Sequence, residues 1–597
     1  MKILGPSLIL LISQLLPGQV ITQSLVPRYA LTSDYQQADL TNAGFQYGND
    51  LTLTQATTNF GVHGADEGAS AVLPDGRIMM WFGDAPATYF DNTANKLMSI
   101  HWRNACNFGS GANALCLGIH PVGLFPPSPL FGRCHEYENL RAGIQGSATQ
   151  TSTCPPFSFI TDPSHTGNTP KVAYHYINAA APGEAYGVGL PPTGIFAVGT
   201  TIYGFVHAKA LDLNPGSLKL RQILVKSDRS SSAITGATPI TWTRLGIFSD
   251  APEVPVLTVT ATNGSKIVSR TSGAATSTEW SNTARWEGYA IAGDWHEGST
   301  RYTIQNVSGN TITLSHPVSC TNCTDLRFVV LPNQNNSTGK FVQASCEPVL
   351  AEDIPSEVNK KLPSTLRNQD VAFCFGASYA YRMSNLYLAV MPLNESQINM
   401  QTNYSNGLPG VYYLTGLKGS NPEWKLQDED SAMPLLSSWA HIGTSSGLPA
   451  IGENSVRWYP QIKRWIMTSA SAEQGGAWAR ATSGTYPWLW DLETQIMINH
   501  NQTTSPTSWH AQIVHNPPDV SSFNFTLYPP VYNPDVAGNP QFTGTSPYGL
   551  PGNIYGLYLL PSSTAEVTGN VLKIFTSFSV FNPYLVGIGS FDYSISR

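Results

Sequence analysis

The apolar residues of the chain fall into short runs that pair across turn residues, a pattern that predicts β-hairpins. Ala69 to Leu73 and Ile78 to Phe82 are runs of strand length, and Pro74-Asp75-Gly76 between them is turn chemistry. Ile195 to Ala208 (IFAVGTTIYGFVHA) repeats the arrangement, with alternating strands and a turn at Gly199-Thr200-Thr201. A third hairpin is expected over Ser378 to Met391 (SYAYRMSNLYLAVM), turning near Ser384-Asn385. A fourth covers Asn454 to Ser469 (NSVRWYPQIKRWIMTS) around Pro460. A fifth joins Asn553–Leu560 to Val571–Val580 through a polar turn at Gly569. No long amphipathic run with helix caps competes with this reading.

Hairpins repeated in this way predict an all-β fold in which one sheet recurs radially, a β-propeller. A two-sheet sandwich is the alternative, but it would need fewer residues and more regular spacing. The unequal intervals imply insertions. The clearest is Pro255 to Leu331, rich in Thr, Ser and Gly, with short alternating runs such as RYTIQNVSGNTITLSHPV. The expected organisation is therefore a propeller in two parts, residues 23–254 and 333–597, with an inserted β-rich module at 255–332. Trp280, Trp286 and Trp295 of that module are core candidates first and a sugar-stacking platform second.

Composition sharpens the picture. Charged residues make up only 12% of the 597, against 52 Gly, 43 Pro and 11% aromatics, a turn-rich β profile. A net charge of −7 offers no basic surface, which argues against nucleic acid or anionic membrane as a partner. Residues 1–22 hold one Lys and then the short apolar run Leu8 to Leu16 before Pro17-Gly18, the pattern of a secretory signal peptide too short to span a bilayer. No later stretch predicts a membrane span. Eight cysteines in a secreted chain predict disulfides, with the pairing left open. The Cys320–Cys323 spacing could suit a metal, but no second such pair is present, so a disulfide is the preferred reading. Sequons at Asn263, Asn306, Asn322, Asn335, Asn336, Asn394, Asn403, Asn501 and Asn524 suit an exported glycoprotein.

The first hairpin carries the candidate chemistry. If Asp75 is the turn centre, Leu73 faces Arg77 and, continuing outward, Asp66 faces Asp84; a two-residue Asp75-Gly76 turn would slip the register by one and set the pair on a diagonal. Two carboxylates at one hairpin mouth push their proton affinities apart, which suits acid/base work. The competing reading is that each Asp bonds backbone amides at a strand end. Glu453, before the fourth hairpin, and Tyr548, before the fifth, are candidate substrate-binding residues on the same rim. Trp81, Arg457 and Trp458 read as packing residues.

Five stretches, in order, resemble the secreted β-propeller family known as domain of unknown function 4185. They are GADEG…LPDGRIMMWFGDA, LPPTGIFAVGTTIYGFVHA, GENSVRWYPQIKRWIM, SPYGLPGNIYGLYLLP and VLKIFTSFSVFNPYLVGI. The resemblance covers residues 55–250 and 365–597. It implies a five-bladed propeller similar to glycoside hydrolases of the endo-D-arabinanase type, with essential Asp residues at positions matching Asp66 and Asp84. It also implies inversion at the anomeric carbon. Glu67 stands where the family usually has a small hydroxyl residue, and Phe581 where Trp is common.

The expectation is thus a secreted, monomeric glycoside hydrolase whose partner is a polysaccharide. No cofactor is predicted; a propeller channel could hold a structural calcium ion, though the sequence has no dedicated ligand loop. The alternatives are a non-catalytic carbohydrate-binding propeller and a cell-surface structural protein.

Overall fold

The computed structural model describes residues 25–28, 67–83, 87–91, 96–100, 122–125, 158–160, 176–178, 184–185, 192–210, 217–252, 254–273, 286–292, 300–318, 324, 326–332, 337–378, 384–395, 398, 407–435, 451–471, 476–482, 484–498, 554–569, 571–580 and 585–594. Among these the molecule is all-β, built from antiparallel sheets with only short helical turns. No helix among them is long and apolar enough to cross a membrane.

Five sheets take their main antiparallel strands in chain order, with a separate hairpin of Ala87–Asp91 and Lys96–Ile100 intervening in the first. The first runs Glu67–Val72, Ile78–Phe82, Val122–Phe125, Ser158–Phe159. The second runs Pro192–Val198, Thr201–Ala210, Leu220–Ser227, Thr241–Asp250, and takes Tyr176–Asn178 in parallel at its far edge. The third runs Gln343–Val349, Val371–Ala377, Leu386–Pro392, Tyr412–Lys418, Asn421–Leu426. The fourth runs Asn454–Tyr459, Arg464–Ser471, Gly476–Thr482, Trp490–Ile498. The fifth runs Ile554–Leu559, Val571–Val580, Leu585–Ser594, and its outer edge is completed by Leu25–Arg28 from the other end of the chain.

The leading strand of each sheet lies against the leading strand of the next, and Ile554–Leu559 lies against Glu67–Val72, so the succession of neighbours returns to its start. We call these five the inner strands. The sheets pack face to face in that same order. Leu73, Met79 and Trp81 of the first meet Ile195, Val206 and Trp242 of the second. Phe205 and Phe248 of the second meet Ala344, Cys374 and Tyr387 of the third. Phe373 and Phe375 of the third meet Val456, Trp458 and Trp465 of the fourth.

This stacking corrects the alternation expected of the second hairpin, where residues 192–196 are buried without a break, and other strands follow the same rule. Ile78–Phe82, Val371–Ala377 and Leu386–Pro392 are buried at every position, because a sheet covered on both faces needs apolar side chains on both. It also corrects the third hairpin, whose first strand is Val371–Ala377 rather than the stretch beginning at Ser378. Ser384 makes an isolated bridge to Ile451 instead. The second, fourth and fifth hairpins form at their expected turns. Cys346 and Cys374, paired across neighbouring strands, form a disulfide.

Strands between Val254 and Pro332 pair with one another in a cycle of six that closes through Val254–Ala261 and Leu326–Pro332; the two-residue strand Ser217–Leu218 also joins Val254–Ala261. The chain leaves and rejoins the main body at one point. Thr338 Oγ1 donates to Asp250 O at 2.6 Å, and a Cβ on Gly339 would fall 2.4 Å from Ala251 Cα. Beyond it Lys340 is buried, its Nζ donating to Asp430 O and Ala432 O at 2.7 Å each. Burial lowers the Lys340 ammonium to about 8, against the pull of Glu429.

Candidate functional site

Asp66, Asp84 and Tyr548 lie outside the described residues, and Glu453 within them. For the Asp pair, the structure supplies the hairpin between them. Leu73 N donates to Arg77 O at 2.8 Å, and Val72, Ala71, Ser70 and Ala69 pair with Ile78, Met79, Met80 and Trp81. Asp75 is the turn centre, one of the two registers the sequence leaves open. Past Ala69 the register shifts, and Glu67 pairs with Phe82. The unbroken register that would oppose Asp66 and Asp84 therefore ends at Ala69 and Trp81.

The shift is a β-bulge at Gly68. Its φ of 124° suits glycine alone, and a Cβ there would meet Met80 Cε at 3.0 Å and Ser577 Oγ at 3.1 Å. Ser577 Oγ donates to Gly68 O at 3.2 Å, tying the bulge to the fifth sheet. Bulges end pairing and re-aim side chains, and they recur beside functional sites.

Glu453 directly precedes the inner strand Asn454–Tyr459 and is 1% exposed. Three contacts align that strand with Gln343–Val349. Asn454 Nδ2 donates to Gln343 O at 3.4 Å, Val456 N to Ser345 Oγ at 3.2 Å, and Trp458 N to Glu347 Oε1 at 3.4 Å. Both strands advance by two residues per contact, so they run in the same direction with Gln343 level with Asn454. Gln343 and Asn454 are each 3% exposed. Both amide atoms of Gln343 and the Oδ1 of Asn454 have no hydrogen-bond partner, a state that costs about 1–3 kcal/mol per buried group.

Three residues past Asn454, about 10 Å at the usual rise, Arg457 reaches to three neighbouring inner strands. Its Nη1 donates to Glu347 Oε2 at 2.6 Å, its Nε to Leu559 O at 3.4 Å, and its Nη2 to Ser70 O. Arg457 thereby joins the first, third and fifth inner strands to its own. Burial pushes the Glu347 carboxyl up, while the Arg457 guanidinium and the Trp458 N–H pull it back. With its acceptor sites occupied from both sides, Glu347 is a cross-tie rather than a free acid or base.

Sequence reading takes Arg457 as a packing residue and overlooks Glu347, Gln343 and Asn454. The available signal is a charged or amide side chain within a run of strand length, but a strand with one solvated face explains the same pattern. Trp81 is core as expected, stacked on Trp242 at 4.2 Å and 6°, over Gly204, where a Cβ would lie 2.5 Å from its ring. Trp458 packs in the core between the third and fourth sheets. Among the described residues no group of three or more His, Cys, Asp or Glu could hold a metal ion.

No family model and no curated protein matches the chain. Among solved structures, a "putative hydrolase" from Bacteroides ovatus ATCC 8483 aligns over 89% of this chain and 86% of its own, at 8% identity and a TM-score of 0.32.

Proposed function

We propose that the protein is a secreted glycoside hydrolase on a five-bladed β-propeller, acting on a polysaccharide, with an arabinan-like glycan favoured by the family resemblance. Two observations support the propeller: the closed succession of inner strands, and the N-terminal strand Leu25–Arg28 completing the last sheet. The signal peptide at 1–22 and the separate module at 255–332 belong to the same reading.

One observation carries the functional claim. The leading hairpin supplies an inner strand that begins at Glu67 and a second strand that ends at Phe82. Asp66 precedes the first directly and Asp84 follows the second by two residues. In an inverting hydrolysis, water attacks the anomeric carbon as the bond to the leaving oxygen breaks. Asp84 takes the water's proton and Asp66 gives its own to the leaving oxygen, a mechanism that requires carboxyl groups about 6.5–9.5 Å apart. Glu453 and Tyr548 would contact the sugar at the same rim.

The test is product release from plant, fungal and mycobacterial polysaccharides, arabinans included, by wild type and Asp84→Asn side by side. Release by wild type that drops by about 10² or more in the variant is expected. Retained sugar binding without release from any glycan would move the reading to a binding propeller.

A further inference from the structure

Among the described buried polar groups, the Arg457–Glu347 pair has partners on every side, and so does Lys340. Trp242 Nε1, Trp458 Nε1, Tyr459 Oη and Arg464 Nε are single atoms without a partner, whereas Gln343 and Asn454 together leave three unpartnered amide atoms side by side. The interval between the third and fourth sheets is apolar through most of its depth, filled by Phe373, Phe375, Val456, Trp458 and Trp465. At the end where Gln343–Val349 and Asn454–Tyr459 begin, it turns polar.

Two side chains project into that end. Ser345 and Glu347 face the fourth sheet through their contacts with Val456 N and Trp458 N, so Gln343, two and four residues away, projects the same way. Asn454 shares its face with Val456 and Trp458, which pack against the third sheet. The surrounding hydroxyls are satisfied: Ser384 Oγ donates to Ser378 Oγ at 2.9 Å, and Ser469 Oγ accepts from Gly452 N at 3.4 Å. The network uses Asn454 Nδ2, which donates to Gln343 O at 3.4 Å and Gly452 O at 3.5 Å, and leaves Asn454 Oδ1 and the whole Gln343 carboxamide without a partner.

We propose that the Gln343 carboxamide and Asn454 Oδ1 bind hydroxyl groups of a neutral carbohydrate beside Glu453. This rests on the hydrolase reading and adds specificity-determining residues to the same rim. The chemistry selects the ligand class. Together the orphaned atoms offer two N–H donors and two carbonyl acceptors, and each sugar hydroxyl both donates and accepts. The adjoining Glu453 carboxyl disfavours an anionic ligand, and the guanidinium four residues on is committed to Glu347.

Gln343→Met tests this, because it keeps the length of the side chain and removes the amide. Binding of gluco-, xylo-, manno- and arabino-oligosaccharides would be measured by calorimetry in the Asp84→Asn background, where turnover does not consume the ligand, with thermal unfolding in parallel. The expected result is affinity weakened about tenfold, as for one lost hydrogen-bonding group, at an unchanged or raised Tm. Gln343→Asn withdraws the amide by one methylene and should weaken binding likewise if Met is not accommodated. Unchanged affinity in both variants, with the parent protein binding a sugar, overturns the proposal and leaves the hydrolase reading standing. A parent protein that binds none of the panel overturns the proposal; the hydrolase reading is then judged on product release alone.

Discussion

Removing the Arg457 guanidinium tests whether the inner strands are tied together through one buried ion pair. Glu347 and Arg457 are 7% and 8% exposed. Unit charges about 4 Å apart near a protein surface attract by about 4 kcal/mol, and desolvation offsets much of that. Truncation is a different matter: Arg457→Met leaves a buried carboxylate unpaired, at about 3–5 kcal/mol. It also strips a donor from Ser70 O and Leu559 O. Glu347→Met should be similarly damaging, since it strands the guanidinium. The double Met variant should be more stable than either single one, with a coupling of at least about 2 kcal/mol. Urea midpoints at unchanged slope, followed by tryptophan fluorescence, measure all four proteins. The Arg457→Met defect should also depend on pH. An unpaired Glu347, already pushed up by burial, takes up a proton more readily folded than unfolded. Stability of the variant then falls as pH rises above the ordinary carboxyl range, so its deficit is larger at pH 7.5 than at pH 5. Single variants within about 1 kcal/mol of wild type, or a double variant equal to the sum of the singles, would refute the cross-tie.

Two further outcomes follow from the geometry. Gly68→Ala combines a strained φ of 124° with contacts at 3.0 and 3.1 Å, so it should lose about 1–3 kcal/mol. Gly264→Ala, at φ 79° in open space, should lose less, and equal shifts in unfolding midpoint would show that crowding at the bulge does not matter. Lys340, lowered to about 8 from 10.5, releases its proton in the folded state while the unfolded chain keeps it. Stability therefore rises with pH between about 8 and 10.5, by at most about 3 kcal/mol over the whole window. Lys340→Met should abolish that rise, and a Tm difference from wild type that is the same at pH 7.5 and 9.5 would contradict it.

What the sequence determined by itself is what local chemistry decides. Pro74-Asp75-Gly76 between two apolar runs specifies a hairpin and its turn, since a turn and its flanking strands interact within a few residues. Four of the five hairpins were legible in this way, and with them the all-β class. The third went wrong because Val371–Ala377 and the stretch from Ser378 onward are both apolar enough for a strand, and only pairing with the flanking strands chooses between them. The bulge at Gly68 was hidden for a related reason: a glycine at a strand's start has no register of its own, and Met80 and Ser577 impose one. Arg457 is the sharpest case. Its partners stand 110, 387 and 102 residues away along the chain. No local pattern distinguishes an arginine that faces water from one that spans four strands. Gln343 and Asn454 became neighbours only when two sheets 111 residues apart stacked. Turn and strand preferences are short-range energies written in adjacent residues; which polar groups end up buried together, and which stay unpaired, is decided by how the sheets pack.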